Sequence, residues 1–193
     1  MKTIEEIRED ALSRGIPIMK DDGIQYLCSF IVKKNITSVL EIGSAVGYSA
    51  ICMARSSSFT KITTIEIDKE RYQEAISNIE TMGYSEQINC LNIDARSYET
   101  NQKYDLIFID AAKTLNQYFF DKFSEYLSED GYIIIDNIYF YGLVDNIDTI
   151  KKKRLRTLVE KIKEFKTYVL NHPDYVANYL QCGDGIIIAK KKR

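Results

Sequence analysis

Short β-branched and aliphatic runs recur along this chain with amphipathic stretches between them, and that alternation restricts the fold more than any other feature. Strand-like runs fall at 38–42, 62–67, 88–93, 106–109, 132–135 and 186–189. Helical spacing is predicted over 48–56, 69–82, 116–128 and 149–170, with two earlier helices over 3–14 and 22–34. Such βα units wind around a mostly parallel sheet. The chain has 193 residues, 45% of them hydrophobic, enough for one sizeable core and little more. With two prolines, nine glycines and no low-complexity linker, a single domain over 1–193 is expected.

Several classes are disfavoured before any motif is read. No apolar run approaches the roughly 20 residues that cross a bilayer, because the best stretch, 132–144, carries Asp136 and Asn137. No membrane association is expected. The opening MKTIEEIRED is polar and acidic where a secretory signal would be basic and then apolar, so the expected location is the cytoplasm. Cys28, Cys52, Cys90 and Cys182 lie far apart with no C-x-x-C pair, and His172 is the single histidine. Neither a zinc knuckle nor a local disulfide framework follows from that spacing, and reduced, mostly buried thiols are expected.

The strand-to-helix passage Val39-Leu40-Glu41-Ile42-Gly43-Ser44-Ala45-Val46-Gly47-Tyr48-Ser49 turns through small residues. Gly43 and Gly47 let backbone approach a ligand closely, and the free N–H groups of the next helix favour a negative group. Glu66 stands at the end of the next strand, where such folds place an acid on the ribose hydroxyls of a nucleoside cofactor. The spacing is G-x-x-x-G, so the diphosphate-cradling G-x-G-x-x-G of a nicotinamide-dependent oxidoreductase is absent. Glu41, just before the turn, would repel a diphosphate and accept from an amino-bearing ligand, directly or through water. Together these features favour S-adenosylmethionine over NAD. The bland alternative is a plain strand-turn-helix with incidental acids.

Two later strands end in polar residues that no core needs, in Ile109-Asp110-Ala111-Ala112-Lys113 and Ile135-Asp136-Asn137. Carboxyl ends of parallel strands line the ligand crevice, so Asp110, Asp136 and Asn137 are expected to converge beside the cofactor. Two carboxylates and an amide form an all-oxygen set suited to Mg²⁺, Mn²⁺ or Ca²⁺. The alternative is that each merely caps the element that follows.

These three motifs, taken in order, resemble those of the metal-dependent O-methyltransferases of the catechol and caffeoyl-CoA type, from about Ile16 to the C-terminus. The resemblance implies an α/β, Rossmann-like class I methyltransferase fold: a mostly parallel seven-stranded sheet with helices on both faces. The N-terminal helices, residues 1–35, would cover the cofactor and substrate site. By position, Met19, Glu41, Gly43, Tyr48, Ser49, Glu66, Asp94, Ala95 and Asp110 are implied to contact S-adenosyl-L-methionine. Asp110, Asp136 and Asn137 are implied to hold Mg²⁺ or another divalent cation, with Lys113 and Asp110 at the reacting oxygen. Lys113 would accept the acceptor's proton or stabilise the oxyanion, two roles that the sequence does not separate.

Charge separates along the chain: residues up to Ile150 carry 14 Lys/Arg against 24 Asp/Glu, and the remainder carry 12 against 4. A basic end on an acidic body suits a polyanionic partner, and a solvated helix face is the plain alternative. Gly15-Ile16-Pro17-Ile18-Met19, Lys153-Arg154-Leu155-Arg156-Thr157, His172-Pro173 and Gly183-Asp184-Gly185 resemble a bacterial branch that methylates 5-hydroxyuridine at the transfer RNA wobble position. On that resemblance tRNA is the expected partner, gripped through Lys151, Lys152, Lys153, Arg154 and Arg156 in the segment 151–156. Tyr139, Phe140 and Tyr141 would stack on a splayed base or belong to the core, and His172 reads as a turn residue. The chief rival is a small-molecule catechol-type methyltransferase. A non-catalytic nucleoside binder would have no need of the Asp110, Lys113, Asp136 and Asn137 set. A homodimer is left open.

Overall fold

The computed structural model describes residues 2–192. Among them seven strands form one sheet in the order β3-β2-β1-β4-β5-β7-β6. The strands are β1 (Ser38–Ile42), β2 (Lys61–Glu66), β3 (Ile88–Asn92), β4 (Tyr104–Ile109), β5 (Leu127–Ile135), β6 (Tyr175–Leu180) and β7 (Ile186–Lys191). β1 to β5 pair in parallel, and β7 enters antiparallel between β5 and β6. The helices are α1 (Ile4–Ser13), α2 (Asp21–Lys34), α3 (Tyr48–Ser56), α4 (Lys69–Thr81), α5 (Asn116–Ser124) and α6 (Lys153–Leu170). None of the described helices is long and apolar enough to cross a membrane.

Strand alternation divides the core between two faces. Val39, Phe108 and Ile134 point to one side and pack with Ile7 of α1, Leu27 of α2 and Met53 of α3. Leu40, Ile107, Ile109 and Ile133 point to the other, against Phe119, Phe120 and Phe123 of α5 and Phe165 and Val169 of α6. A third, smaller cluster joins the loop after β5 to α6 through Val144, Ile150, Val159 and Ile162. Local signals agree with these boundaries. Thr3 and Glu6 form a capping box on α1, and Asp68 caps α4 by accepting the N–H groups of Glu70 and Arg71.

Apart from shifts of one or two residues, one strand and three boundaries differ from the sequence expectation. β6 was not expected, because its apolar residues do not alternate cleanly and it forms a sheet edge with mixed burial. The helix predicted to 128 stops at Ser124, and β5 starts at Leu127 instead of 132. Its register jumps between Tyr104↔Leu127 and Leu106↔Tyr132, which accommodates the polar Ser128–Gly131 stretch. The helix predicted from 149 starts at Lys153, leaving Lys151 and Lys152 ahead of it.

Phe120 is fully buried and meets the rings of Phe165, Tyr168, His172 and Tyr175. Phe120→Ala is expected to lower stability by about 3–5 kcal/mol, from lost transfer free energy and a residual cavity. Urea unfolding measures this, and a loss below about 1 kcal/mol would mean that the α5–α6 layer is not packed as described.

Candidate active site

The sheet order reverses between β1 and β4, so their following loops leave in opposite directions and open a crevice at the strand ends. Gly43 sits at that point with φ +103, and a Cβ there would lie 2.3 Å from the Asp110 carbonyl oxygen. A side chain at 43 would therefore force the two strand ends apart. The turn continues through Ala45, also at positive φ, to Gly47, from which α3 starts. Ala45 donates its N–H to Glu66 Oε2 at 2.9 Å, and Asp68 donates to Oε1 at 2.8 Å. Each oxygen of Glu66 keeps a lone pair for a further donor.

The crevice holds a cavity of about 610 Å³. Of the residues expected at the site, Met19, Gly43, Tyr48, Ser49, Glu66, Asp94, Ala95, Asp110, Lys113 and Asn137 line it. Glu41 and Asp136 lie behind the wall. Glu41 is completely buried, and its two oxygens accept the hydroxyls of Ser49 and Thr64, each at 2.5 Å. Burial pushes its carboxyl up to about 7, against the pull of those two hydrogen bonds. It fixes the Ser49 hydroxyl in the wall. Of residues 2–35, Pro17, Ile18 and Met19, in the segment between α1 and α2, line the cavity.

At the other end of the cavity, Lys113 Nζ donates to Asp110 Oδ1 at 2.6 Å. Asp136 is 1% exposed, and neither of its oxygens has a hydrogen-bond partner. Burial first, and the Asp110 charge second, raise its carboxyl to about 7. Asn137 follows at φ 61, which turns the chain sharply out of β5. Among the described residues no three His, Cys, Asp or Glu side chains converge as a metal site. Asp110 and Asn137 line the cavity, and the Asp110 charge acts on Asp136 directly behind them.

Other wall residues, among them Ile67, Ile93 and Arg96, were missed. Ile67 and Ile93 lie one residue beyond β2 and β3, and Ile67 is 64% exposed although apolar. An aliphatic residue just past a strand end was the signal that could have found them. Arg96 forks onto Asp94 at 2.6–3.1 Å and holds that carboxyl below its usual range. Phe140, Tyr141 and Asp184 also line the cavity. His172 packs among Phe120, Tyr168 and Tyr175, away from the cavity wall, and accepts the Asp174 N–H in a turn. The four cysteines are free thiols, Cys90 buried and the others half-buried.

A crevice at the sheet's reversal point, with an acid fixed on the second strand, defines a nucleoside-cofactor α/β protein. A family model described as O-methyltransferase matches residues 1–192. The structure of a "putative caffeoyl-CoA O-methyltransferase" from Staphylococcus aureus superposes with TM-score 0.94 at 30% identity, covering 100% of this chain and 93% of that one. An O-methyltransferase from Bacillus cereus, solved in complex with SAH, gives TM-score 0.83 at 26% identity, covering 100% and 92%. Tapetum-specific methyltransferase 1 of Arabidopsis thaliana is 26% identical over 202 residues, covering 97% of this chain and 85% of the plant protein. The chain belongs to the O-methyltransferase family, with its Rossmann-like fold and its S-adenosylmethionine-dependent class of reaction.

Glu41 gives the fold a pH signature. The folded protein keeps its proton up to about 7 while the unfolded chain releases it near the ordinary 4.5. Its contribution is therefore fully present below about 4.5 and is lost as pH rises through about 7. Glu41→Gln removes that slope. Between pH 4.5 and 7.5, the stability of the wild type relative to this variant is expected to fall by roughly 1–3 kcal/mol in urea unfolding. A difference that does not change with pH would contradict the assignment.

Proposed function

We propose that the protein transfers the methyl group of S-adenosylmethionine to a hydroxyl of a small acceptor that carries a second oxygen on the neighbouring carbon, as a catechol does. The observation that carries this reading is Asp136: a buried carboxylate whose oxygens find no donor in the protein, beside the Asp110 carboxylate and followed by the cavity-lining Asn137. Two neighbouring carboxylates, only one of which is paired with a lysine, suit a divalent cation. Asp110, Asp136 and Asn137 would hold it. When bound, Mg²⁺ or a similar ion lowers the pKa of an acceptor hydroxyl and fixes its orientation.

The chain's own residues supply the rest. Glu66, locked by two backbone N–H groups, accepts from the ribose hydroxyls. Ile67 and Ile93 present apolar surface to the adenine, with Asp94 and Ala95 at its edge. Ser49, Gly43, Tyr48 and Met19 surround the methionine part, and Glu41 keeps the Ser49 hydroxyl in place. Lys113, anchored on Asp110, donates towards the oxygen on which negative charge develops. Phe140 and Tyr141 screen that end of the cavity from water.

A second reading, 5-hydroxyuridine of transfer RNA as the acceptor, has one observation in its favour. Lys151, Lys152, Lys153 and Arg154 are exposed and form no ion pair among the described residues. They lie at the start of α6, whose first turn has no acidic residue, where the helix dipole disfavours cations. Leu155 packs in the same small cluster as the cavity-lining Phe140, so these charges sit on the element beside that wall. Arg156 departs from the expected grip, since Asp148 and Glu160 engage it at 3.5 and 3.3 Å. The caffeoyl-CoA-type relative favours the small-molecule reading.

Two assays check these readings. Methyl transfer to a simple catechol is expected to stop in excess EDTA and in Asp136→Ala, with cofactor affinity in that variant kept within about threefold because the ribose acceptor is untouched. Full turnover under chelation would sink the cation model. In parallel, bulk tRNA containing 5-hydroxyuridine is offered to the wild type and to the triple variant Lys152→Ala, Lys153→Ala, Arg154→Ala. Methylation of tRNA, with a KM that rises in the triple variant and a flatter salt dependence, would establish the second reading over the first.

A further inference from the structure

Asp184 has no part in the chemistry above, yet it is among the most constrained side chains of the cavity wall. It lies between Gly183 and Gly185 in the turn before β7 and is 2% exposed. Its Oδ1 accepts the Tyr141 N–H at 2.8 Å and Lys20 Nζ at 3.3 Å, while its Oδ2 has no partner. Its carbonyl accepts the Tyr139 N–H at 2.7 Å, and the Gly185 carbonyl accepts the Ile138 N–H at 2.8 Å. One turn thus receives three backbone donors from the loop after β5.

That loop needs restraint. Asn137, Phe140, Tyr141 and Gly142 all have positive φ, at 61, 49, 56 and 80. For Phe140 and Tyr141 this conformation is unfavourable and persists only where surrounding contacts impose it. Burial does not impose it on Tyr141, which is 72% exposed. On its other side Lys20 stands 5.3 Å from the centre of the Tyr141 ring, so the same carboxylate also ties down the segment that carries Met19. Asp22, two residues on, accepts the Gly183 N–H at 2.8 Å and strengthens that tie.

We infer that Asp184 is a positioning residue for the acceptor: it holds the strained 138–142 loop and the Lys20 segment together, so that Phe140 and Tyr141 form a fixed wall. The part of this inference that concerns the acceptor rests on the proposed methyl transfer. The part that concerns the loop does not. Asp184→Asn keeps an oxygen for the Tyr141 N–H and loses the charge that faces Lys20, whereas Asp184→Ala loses both.

Amide hydrogen exchange on the full chain tests it first. The Tyr141 amide is expected to exchange slowly in the wild type despite the residue's exposure, to stay protected in Asp184→Asn, and to speed up at least about tenfold in Asp184→Ala. With 3,4-dihydroxybenzoate as the probe acceptor, Asp184→Ala is expected to raise KM about tenfold with kcat within about threefold. Asp184→Asn should recover most of that loss, and SAH affinity by calorimetry should stay within about threefold in both variants, because Met19 is one of several residues around the cofactor. An unprotected Tyr141 amide in the wild type or in Asp184→Asn overturns the inference, and this comparison decides even where Asp184→Ala does not fold. Equal KM losses in the two variants, or a fall in SAH affinity that matches the KM change, overturn it too. Absence of turnover in the wild type counts against the proposed acceptor, and the exchange result still decides the role of Asp184.

Discussion

The contact on which the rest of this structure depends is the approach of the β1 exit to the β4 exit at Gly43. Backbone there lies so close to the Asp110 carbonyl that no Cβ fits between them. The pairing of β1 with β4 continues through the Asp110 N–H to the Ile42 carbonyl at 3.0 Å, which aligns the two strand ends. From that alignment the turn to α3, the position of Glu66 above it and the aim of the β4 exit follow. The apolar faces on either side of the sheet give the ends their rigidity.

Two buried carboxylates next to that contact illustrate different uses of the same expensive group. Glu41 finds both of its partners inside the protein, in Ser49 and Thr64, and its burial organises the wall. Asp136 is as deeply buried and finds none. A folded chain keeps an unpartnered acid of this kind against a destabilising cost of several kcal/mol only where a ligand offsets it or function requires it. The contrast supports reading Glu41 as a structural acid and Asp136 as the acid of the proposed cation site.

Much of this was legible in the sequence, for reasons that differ by residue. The strands β1, β4 and β7 are near-continuous aliphatic runs because both faces of the sheet are covered, and the small-residue turn after Glu41 announces its own geometry. Asp110 and Asn137 stand out as polar residues directly after such runs, and both reach the cavity. Glu41 was harder, because sequence shows that a carboxylate is near the turn but not whether Ser49 stands in front of it. β6 was missed since an edge strand buries one face unevenly and needs no clean alternation. Gly183-Asp184-Gly185 stood out in the sequence only through its resemblance to the tRNA-modifying branch; the contacts of Asp184 with Tyr141 and Lys20, distant in the chain, were not legible there.

The central claim is that Asp110, Asp136 and Asn137 form one oxygen site beside the cofactor. Anomalous diffraction from crystals grown with SAH and Mn²⁺ tests it most directly. The account predicts a single strong manganese peak in contact with oxygens of all three residues, in the same cavity as the SAH sulfur, with Glu66 on the ribose. A manganese peak elsewhere, or an ordered SAH complex in which the Asp136 oxygens remain without a partner, would contradict it.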